Sequence, residues 1–420
     1  MDDRFLAYKI LNKIERDKAY SNITVDAVLN ENEATSAPFV CALVYGVLER
    51  KITIDYILSK FLTQPIKKLK PQVLTLLRMG VYQIKYMDKV PGSAAVNESV
   101  KLSKKVKCAF ASGLINSVLR KVSTTEVSLP ETDNKIHDLS IKYSCPEQLV
   151  EHYVNDYGYI DAEKILESSI GSVSTFIRVN NLKISTDELI SQLENENVIS
   201  KKIENRENSL EIISGAVFKT ECYKKGYFHA QDLASQTCID FLNPQENEVV
   251  FDLCAAPGGK SFTIAEKMNN KGNVFSFDLY EHKIKLINDG AKRLGITIID
   301  AQIGDASVFN SDLPKADKVL CDVPCGGLGV IRRKPEIKYK DFSFIDKLCD
   351  LQYNILNNAS LYLKEKGVLV YSTCSLSKSE NEDICNRFLN EHNNFKLESM
   401  VTLIPHKDSD GFFFAKFIKE

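Results

Sequence analysis

No stretch of the 420-residue chain approaches the ~18 uninterrupted apolar residues of a membrane-spanning helix, so an integral helical membrane protein is excluded. There is no internal repeat and no low-complexity tract, which removes solenoid and disordered classes. An excess of one charge is also missing: 54 Lys and Arg stand against 56 Asp and Glu, for a net charge of −2. The eleven cysteines are odd in number and scattered, without the paired spacing of a secreted disulfide framework. Cys321-x-x-x-Cys325 has no matching His or Cys pair elsewhere, so no metal is expected. The opening Met1-Asp-Asp-Arg-Phe5 lacks the basic-then-apolar pattern of a signal segment. A reducing cytoplasm is the expected location, and a monomer the expected state.

What is present is ordinary in bulk and uneven in distribution. At 44% hydrophobic and 26% charged, the chain is long enough for two or three globular domains. Between Lys60 and Val122, thirteen Lys or Arg face only Asp88 and Glu98. Such a basic island suits a phosphate backbone, although lysine-rich solvated helix faces produce the same count. Apolar residues recur at helical spacing from Arg4 to about Val122, as in Leu6, Ile10, Leu11 and Ile14. An all-α bundle is expected over 1–125 and a polar linker over 126–143. Ser144 is expected to cap a helix with Pro146 in its first turn. Strand-like and helical runs then make a small α+β unit over 144–232. In it, Phe176, Tyr223, Tyr227 and Phe228 are candidates for stacking on unpaired bases or for plain core.

From 233 to 420, strands and helices alternate. Strands are expected near 248–253, 273–278, 298–303, 317–322, 367–372 and 411–418, with helices near 260–268, 280–294, 346–363 and 379–391. That alternation predicts a parallel sheet covered on both faces. The first strand runs into Asp252-Leu-Cys254-Ala255-Ala256-Pro257-Gly258-Gly259-Lys260, a glycine turn feeding a helix. Twenty residues past Gly258 the second strand ends on Asp278, an offset that suits a ribose hydroxyl pair. Gly259-Lys260-Ser261 resembles the end of a phosphate-binding loop, but Cys254 stands where that loop needs its first glycine. A dinucleotide G-x-G-x-x-G is absent as well. Asp252, Asp278, Asp305 and Asp322 all fall at carboxyl ends of expected strands, where ligands of open α/β sheets sit. Two cysteines do the same, Cys325 and Cys374. A thiolate held at a strand end is a candidate nucleophile, so either cysteine is a candidate for covalent catalysis. Spacing does not say which one attacks.

These blocks, taken in order, resemble the RNA 5-methylcytosine methyltransferases. They comprise Asp252 to Lys260, Asp278, Gly304-Asp305-Ala306, Asp322-Val-Pro-Cys325-Gly-Gly-Leu-Gly329, Ser372-Thr-Cys374-Ser375, Asp410-Gly-Phe-Phe413 and the upstream Gln231-Asp232. Tyr45 to Arg50, Leu77 to Gln83, Ala94 to Glu98 and Gly113 to Arg120 resemble a NusB-like bundle. The whole chain is thus similar to the 16S ribosomal RNA methyltransferase B family. The resemblance implies a Rossmann-like seven-stranded methyltransferase domain that uses S-adenosylmethionine. It implies that Cys254 to Lys260 wrap the methionine part, Asp278 holds the ribose, Asp305 faces the adenine and Asp322 serves both cofactor and catalysis. It further implies attack by Cys374, release assisted by Cys325, and 16S rRNA as partner, with cytosine 967 as target. The alternatives are a tRNA or another rRNA site, or an RNA-binding antitermination-type factor with an idle catalytic domain. One departure is visible: the family loop is usually Pro-Cys-Ser-Gly, and here it is Pro324-Cys325-Gly326-Gly327.

Overall fold

Leu6, Ile10 and Ile14 recur on one helical face, and the first helix, α1 (Asp3–Asp17), buries all three. The computed structural model describes residues 2–17, 19–32, 36–342, 345–406 and 409–420. The expected helical region crosses 18 and 33–35, which lie outside the described residues. Eight more helices follow: α2 (Ser21–Glu31), α3 (Ala37–Glu49), α4 (Lys51–Ser59), α5 (Pro71–Tyr86), α6 (Gly92–Lys105), α7 (Ser112–Thr124), α8 (Lys135–Tyr143) and α9 (Glu147–Ser168). Part of the stretch read as linker is therefore helical. Gly46 on α3 and Gly80 on α5 permit tight packing, since a Cβ there would fall 1.8 Å from the Tyr82 ring and 2.4 Å from Leu119.

Ser144 does not cap the helix that follows it. It ends α8 in the left-handed conformation, with φ 51°, and Pro146 precedes α9 as its N-cap. The Ser144 hydroxyl instead accepts the Ile52 amide at 2.9 Å, satisfying the start of α4 from 92 residues away in sequence. Met1–Gly171 form one compact unit, and Ile331–Lys340 belong to it. The basic run Ile331-Arg-Arg-Lys-Pro-Glu336 leads into a short 3₁₀ turn (Pro335–Tyr339) that is largely buried. Glu336 there accepts the Ser21 amide at 3.0 Å and the Ser21 hydroxyl at 2.7 Å. Lys338 is fully buried and directs its ammonium at the carbonyls of Glu49, Tyr143 and Ser144.

The second unit, Ser172–Val330 with Asp341–Glu420, holds two sheets. The smaller is antiparallel, in the order β2-β3-β1-β4, from β1 (Thr175–Val179), β2 (Ile199–Ile203), β3 (Arg206–Ser214) and β4 (Phe228–Ala230). Helix α10 (Thr186–Asn195) covers it and opens with a capping box between Ser185 and Glu188. A short α11 (Glu221–Lys224) leads into β4. Phe176 and Phe228 lie buried on opposite faces of this sheet, so these two of the four aromatics are core and not base platforms.

The larger sheet has seven strands: β5 (Val249–Asp252), β6 (Asn273–Asp278), β7 (Ile299–Ile303), β8 (Ala316–Asp322), β9 (Leu363–Thr373), β10 (Phe395–Leu403) and β11 (Phe412–Lys419). Their order is β10-β11-β9-β8-β5-β6-β7, parallel except for β11, which runs antiparallel to β9 and β10. Helices α12 (Leu233–Leu242), α13 (Gly259–Lys267), α14 (Glu281–Leu294), α15 (Ile345–Ser360) and α16 (Glu382–Glu391) accompany these strands. Phe251, Val319, Leu369 and Phe417 anchor one buried cluster, and Val250, Leu320, Val370 and Phe414 another. Successive residues of one strand supply different clusters, as a sheet covered on both faces requires.

Candidate active site

β5 ends at Asp252, and the turn that follows must bring the backbone sharply into α13. Gly258 does this with φ 111°, and a Cβ there would meet the Phe262 ring at 2.4 Å. The next two side chains are already committed inside the protein. Lys260 Nζ lies 2.7 Å from Asp322 Oδ2, and Ser261 Oγ donates at 2.7 Å to Asp252 Oδ2. The resemblance to a phosphate-binding loop is thereby explained away, because the lysine and hydroxyl that would serve phosphate and metal are spent on strand-end acids.

Burial opposes the Lys260 charge, yet the Asp322 carboxylate beside it raises its pKa above the ordinary lysine range. Burial, together with the Asp322 charge and against the Ser261 hydrogen bond, pushes Asp252 up to about 7. Cys254 is held well above the usual thiol range, by burial first and then by Asp252, Asp322 and Asp278. Its place in the structure is in the wall of the site, where it lines two clefts.

Two clefts share Cys254, Ala256 and Asp322 as lining. The larger, about 440 Å³, is edged by Asp278, Tyr280, Asp305, Pro324 and Ile355. The smaller, about 210 Å³, is edged by Gln231, Asp232, Gly259 and Lys260. Pro257 also lines the smaller cleft, and Ala255 with it. Asp278 is nearly buried, steered by Lys283 at 3.2 Å. Asp305 accepts the Ser307 amide at 2.9 Å and its hydroxyl at 2.6 Å, which fixes the turn at the cleft edge. Carboxylate acceptors, backbone edges and apolar walls in one elongated cleft fit an adenosine nucleoside carrying a polar tail.

Beyond the shared acid Asp322 lie the two cysteines. Asp322 faces Ser372 in the β8–β9 register, and Ser372 Oγ donates to its Oδ1 at 3.0 Å. Three residues past Asp322 comes Cys325, and two past Ser372 comes Cys374. Their sulfurs are 3.2 Å apart. Cys325 is held well above the usual thiol range by its hydrogen bond with Cys374, then by burial and by the charges of Cys374 and Glu380. The Gly329 amide donates to the Cys374 carbonyl at 2.9 Å, and the Gly411 amide to the Gly329 carbonyl at 2.9 Å. A Cβ on Gly329 would fall 2.2 Å from the Gly411 carbonyl, so the Asp410-Gly411 motif and the loop after Cys325 touch backbone to backbone.

Upstream, Gln231 donates to the Gly259 carbonyl at 3.0 Å and accepts from Thr263, tying its motif to the turn of α13. Asp232 caps α12 through the Ala234 amide at 2.9 Å. Sequence reasoning missed Glu380, fully buried, which accepts the Gly326 amide at 2.7 Å. Among the described residues no cluster of three or more His, Cys, Asp or Glu is placed to hold a metal, and no helix is long and apolar enough to cross a membrane.

The seven-stranded sheet, with its glycine turn after the first strand and acids at the following strand ends, defines an S-adenosylmethionine-dependent methyltransferase. Comparison with known proteins narrows the class. The family "16S rRNA methyltransferase RsmB/F" matches residues 239–418, the NusB family matches 1–124, and a ferredoxin-like domain of RsmF/B-like methyltransferases matches 145–216. The probable ribosomal RNA small subunit methyltransferase B of Bacillus subtilis (strain 168) is 37% identical over 413 residues, covering 96% of this chain and 92% of that protein. The corresponding Synechocystis protein is 32% identical, with 99% of each chain covered. Among solved structures, PH0851 superposes with a TM-score of 0.83 at 26% identity, over 100% of this chain and 99% of that one. NSun6 from Pyrococcus horikoshii, solved with the S-adenosylmethionine analogue SFG, gives 0.60 at 25% identity, over 65% and 98%. The chain belongs to the ribosomal RNA small subunit methyltransferase B family, and it is an S-adenosylmethionine-dependent rRNA methyltransferase.

Proposed function

We propose that this cytoplasmic enzyme methylates C5 of cytosine 967 of 16S rRNA through a covalent adduct between Cys374 and C6 of the base. The observation that carries the reading is the thiol pair, with Cys325 and Cys374 sulfurs 3.2 Å apart at the ends of neighbouring strands and next to the acid both clefts share. The relatives' names supply the rRNA substrate, and the resemblance to the RNA methyltransferases supplies the target base.

S-adenosylmethionine supplies an electrophilic methyl group when bound. In this reading Cys254 to Lys260 hold its methionine part, Asp278 accepts from the ribose hydroxyls and Asp305 faces the adenine. Asp322, fixed between Lys260 and Ser372, stands where the two clefts meet and is counted with both cofactor and catalysis. The Cys374 thiolate adds to C6, forming an S–C6 bond and placing the displaced π electrons on C5. C5 would then take the methyl group as the methyl–sulfonium bond breaks, its electron pair staying on the departing thioether sulfur. A base then takes the C5 proton, the S–C6 bond breaks, its electron pair returns to sulfur and the C5=C6 double bond reforms. The 3.2 Å contact lets one thiol of the pair hold the proton while the other attacks, and the resemblance to the RNA methyltransferases gives the attack to Cys374. Cys325 then assists release.

Bisulfite sequencing of 16S rRNA from cells with and without the protein tests the target. A methyl at position 967 that persists without it, or one elsewhere that disappears, removes the assignment.

A further inference from the structure

We propose that Glu380 is a positioning residue that holds the two catalytic cysteine loops in register. The inference rests on the reading of Cys325 and Cys374 given above, and goes beyond it to a residue that lines neither cleft. Glu380 is fully buried, and a buried carboxylate persists only where its oxygens are well supplied with donors. Its donors come from both loops. Oε1 accepts the amide of Gly326, the residue after Cys325, at 2.7 Å. Oε2 accepts the hydroxyl of Ser375, the residue after Cys374. Gln352 from α15 completes the arrangement, with Nε2 2.9 Å from Oε1 and 2.9 Å from the Pro324 carbonyl. Both neighbours of Cys325 are thus held, and one neighbour of Cys374, by a single carboxylate and the amide that orients it.

The carboxylate is itself fixed from behind. Tyr371 donates to the Glu380 carbonyl at 2.6 Å, and the adjacent Asn381 joins Thr373 at 2.6 Å to the Ser375 carbonyl at 3.0 Å. The family's departure at position 326 belongs to the same arrangement. A Cβ on Gly326 would lie 2.9 Å from Glu380 Oε2, so the missing side chain leaves room for the carboxylate. Backbone freedom is not the reason, because the left-handed residue in this loop is Gly327, at φ 73°. The carboxylate has a second effect: after the Cys374 hydrogen bond, burial and the Cys374 charge, it too opposes ionisation of Cys325.

The test uses the full chain with Glu380→Gln and Ser375→Ala, each assayed for S-adenosylmethionine affinity, single-turnover methylation of rRNA and thiol alkylation. Glu380→Gln is expected to keep cofactor affinity within twofold and to slow methylation at least tenfold. Ser375→Ala is expected to slow it severalfold in the same step, and it decides the matter where Glu380→Gln does not fold. A merely structural role would not move the ionisation of Cys325. In a Cys374→Ser background, adding Glu380→Gln should therefore shift the midpoint of Cys325 alkylation, read peptide by peptide, to lower pH. Wild-type methylation rates in the folded variants, or an unmoved midpoint, overturn the proposal. Cys374→Ser alone keeps the two readings apart: methylation that survives it defeats the covalent mechanism, whereas an inactive Cys374→Ser beside a fully active Glu380→Gln defeats only the positioning role.

Discussion

The sulfur of Cys325 lies 3.2 Å from that of Cys374, although 49 residues separate them in sequence. Parallel pairing of β8 with β9 brings them together, with Asp322 opposite Ser372 in the register. The proposed division of labour between the two thiols makes distinct predictions for each. Cys374→Ser should bind cofactor and lose methylation, since a hydroxyl is far less ionised than a thiol at neutral pH. Cys325→Ser should attack normally and stall afterwards, leaving a protein–RNA complex that survives denaturing electrophoresis. An adduct in Cys374→Ser and none in Cys325→Ser would assign the attack to the other cysteine.

The cofactor side gives a second prediction. Asp278 is nearly buried at the end of β6 and lines the larger cleft. In the proposed reading, replacing it with alanine removes acceptors for the ribose hydroxyls, and hydrogen bonds to charged groups contribute roughly 1.5–3 kcal/mol each. Calorimetry should show S-adenosylmethionine affinity falling at least tenfold in Asp278→Ala. ATP should not bind the unmodified protein, because Lys260 and Ser261 are engaged with Asp322 and Asp252. Equal affinity for S-adenosylmethionine in both proteins would remove Asp278 from the site.

Much of this was legible in the sequence, and the remainder has identifiable physical reasons. Strand β6 is a β-branched and aromatic run ending on an acid, and its observed bounds, Asn273–Asp278, are those read from the pattern. The parallel part of the large sheet followed from strand and helix alternation, and its seven-stranded form from the family resemblance. Strand β2 was missed because Ile199-Ser-Lys-Lys-Ile203 is an edge strand with exposed lysines and little apolar content. Ser144 was misread because its partner, the start of α4, is remote in sequence. The buried roles of Glu336 and Lys338 could not be read from sequence, since nothing local announces Ser21 or three distant carbonyls as partners. Glu380 escaped for the same reason: only the fold brings Gly326, Gln352 and Ser375 around one carboxylate.

Asp252 predicts a pH dependence of stability. Its pKa in the folded protein is about 7, against 3.8 for an unperturbed aspartate. Between those values the folded chain keeps a proton that the unfolded chain releases, so this group's contribution is fully present below about pH 4 and is lost as pH rises towards 7. Asp252→Asn retains a neutral, hydrogen-bonding side chain and cannot lose that proton. Urea melts at pH 4.5, 6 and 7.5 should therefore show the variant gaining relative stability as pH rises, with about one proton removed from the slope. A slope identical to that of the unmodified protein would mean that Asp252 is ionised in the folded state throughout.

The basic island gives the last prediction, and it separates phosphate contacts from lysines that only face water. Of the thirteen cations between Lys60 and Val122, all but Arg78 and Lys85 are exposed. Arg78 is spent inside the bundle on Asp55 at 2.7 Å and Glu15 at 3.2 Å, so it is left intact. Lys67, Lys68 and Lys70 cluster before α5, and Lys70 rests over the exposed Phe110 ring at 4.6 Å. Replacing these three with glutamine leaves the buried core of the helices untouched. If they touch RNA phosphates, each lost contact should lower the slope of log affinity against log salt by roughly 0.7–0.9, the value expected from counterion release. Cofactor affinity should not change, because none of the three lines either cleft. Filter binding of a 16S rRNA fragment over a salt series reads the slope directly. A slope unchanged in the triple variant would place these lysines on a solvated face and send the search to Lys101, Lys104 and Lys105 at the end of α6.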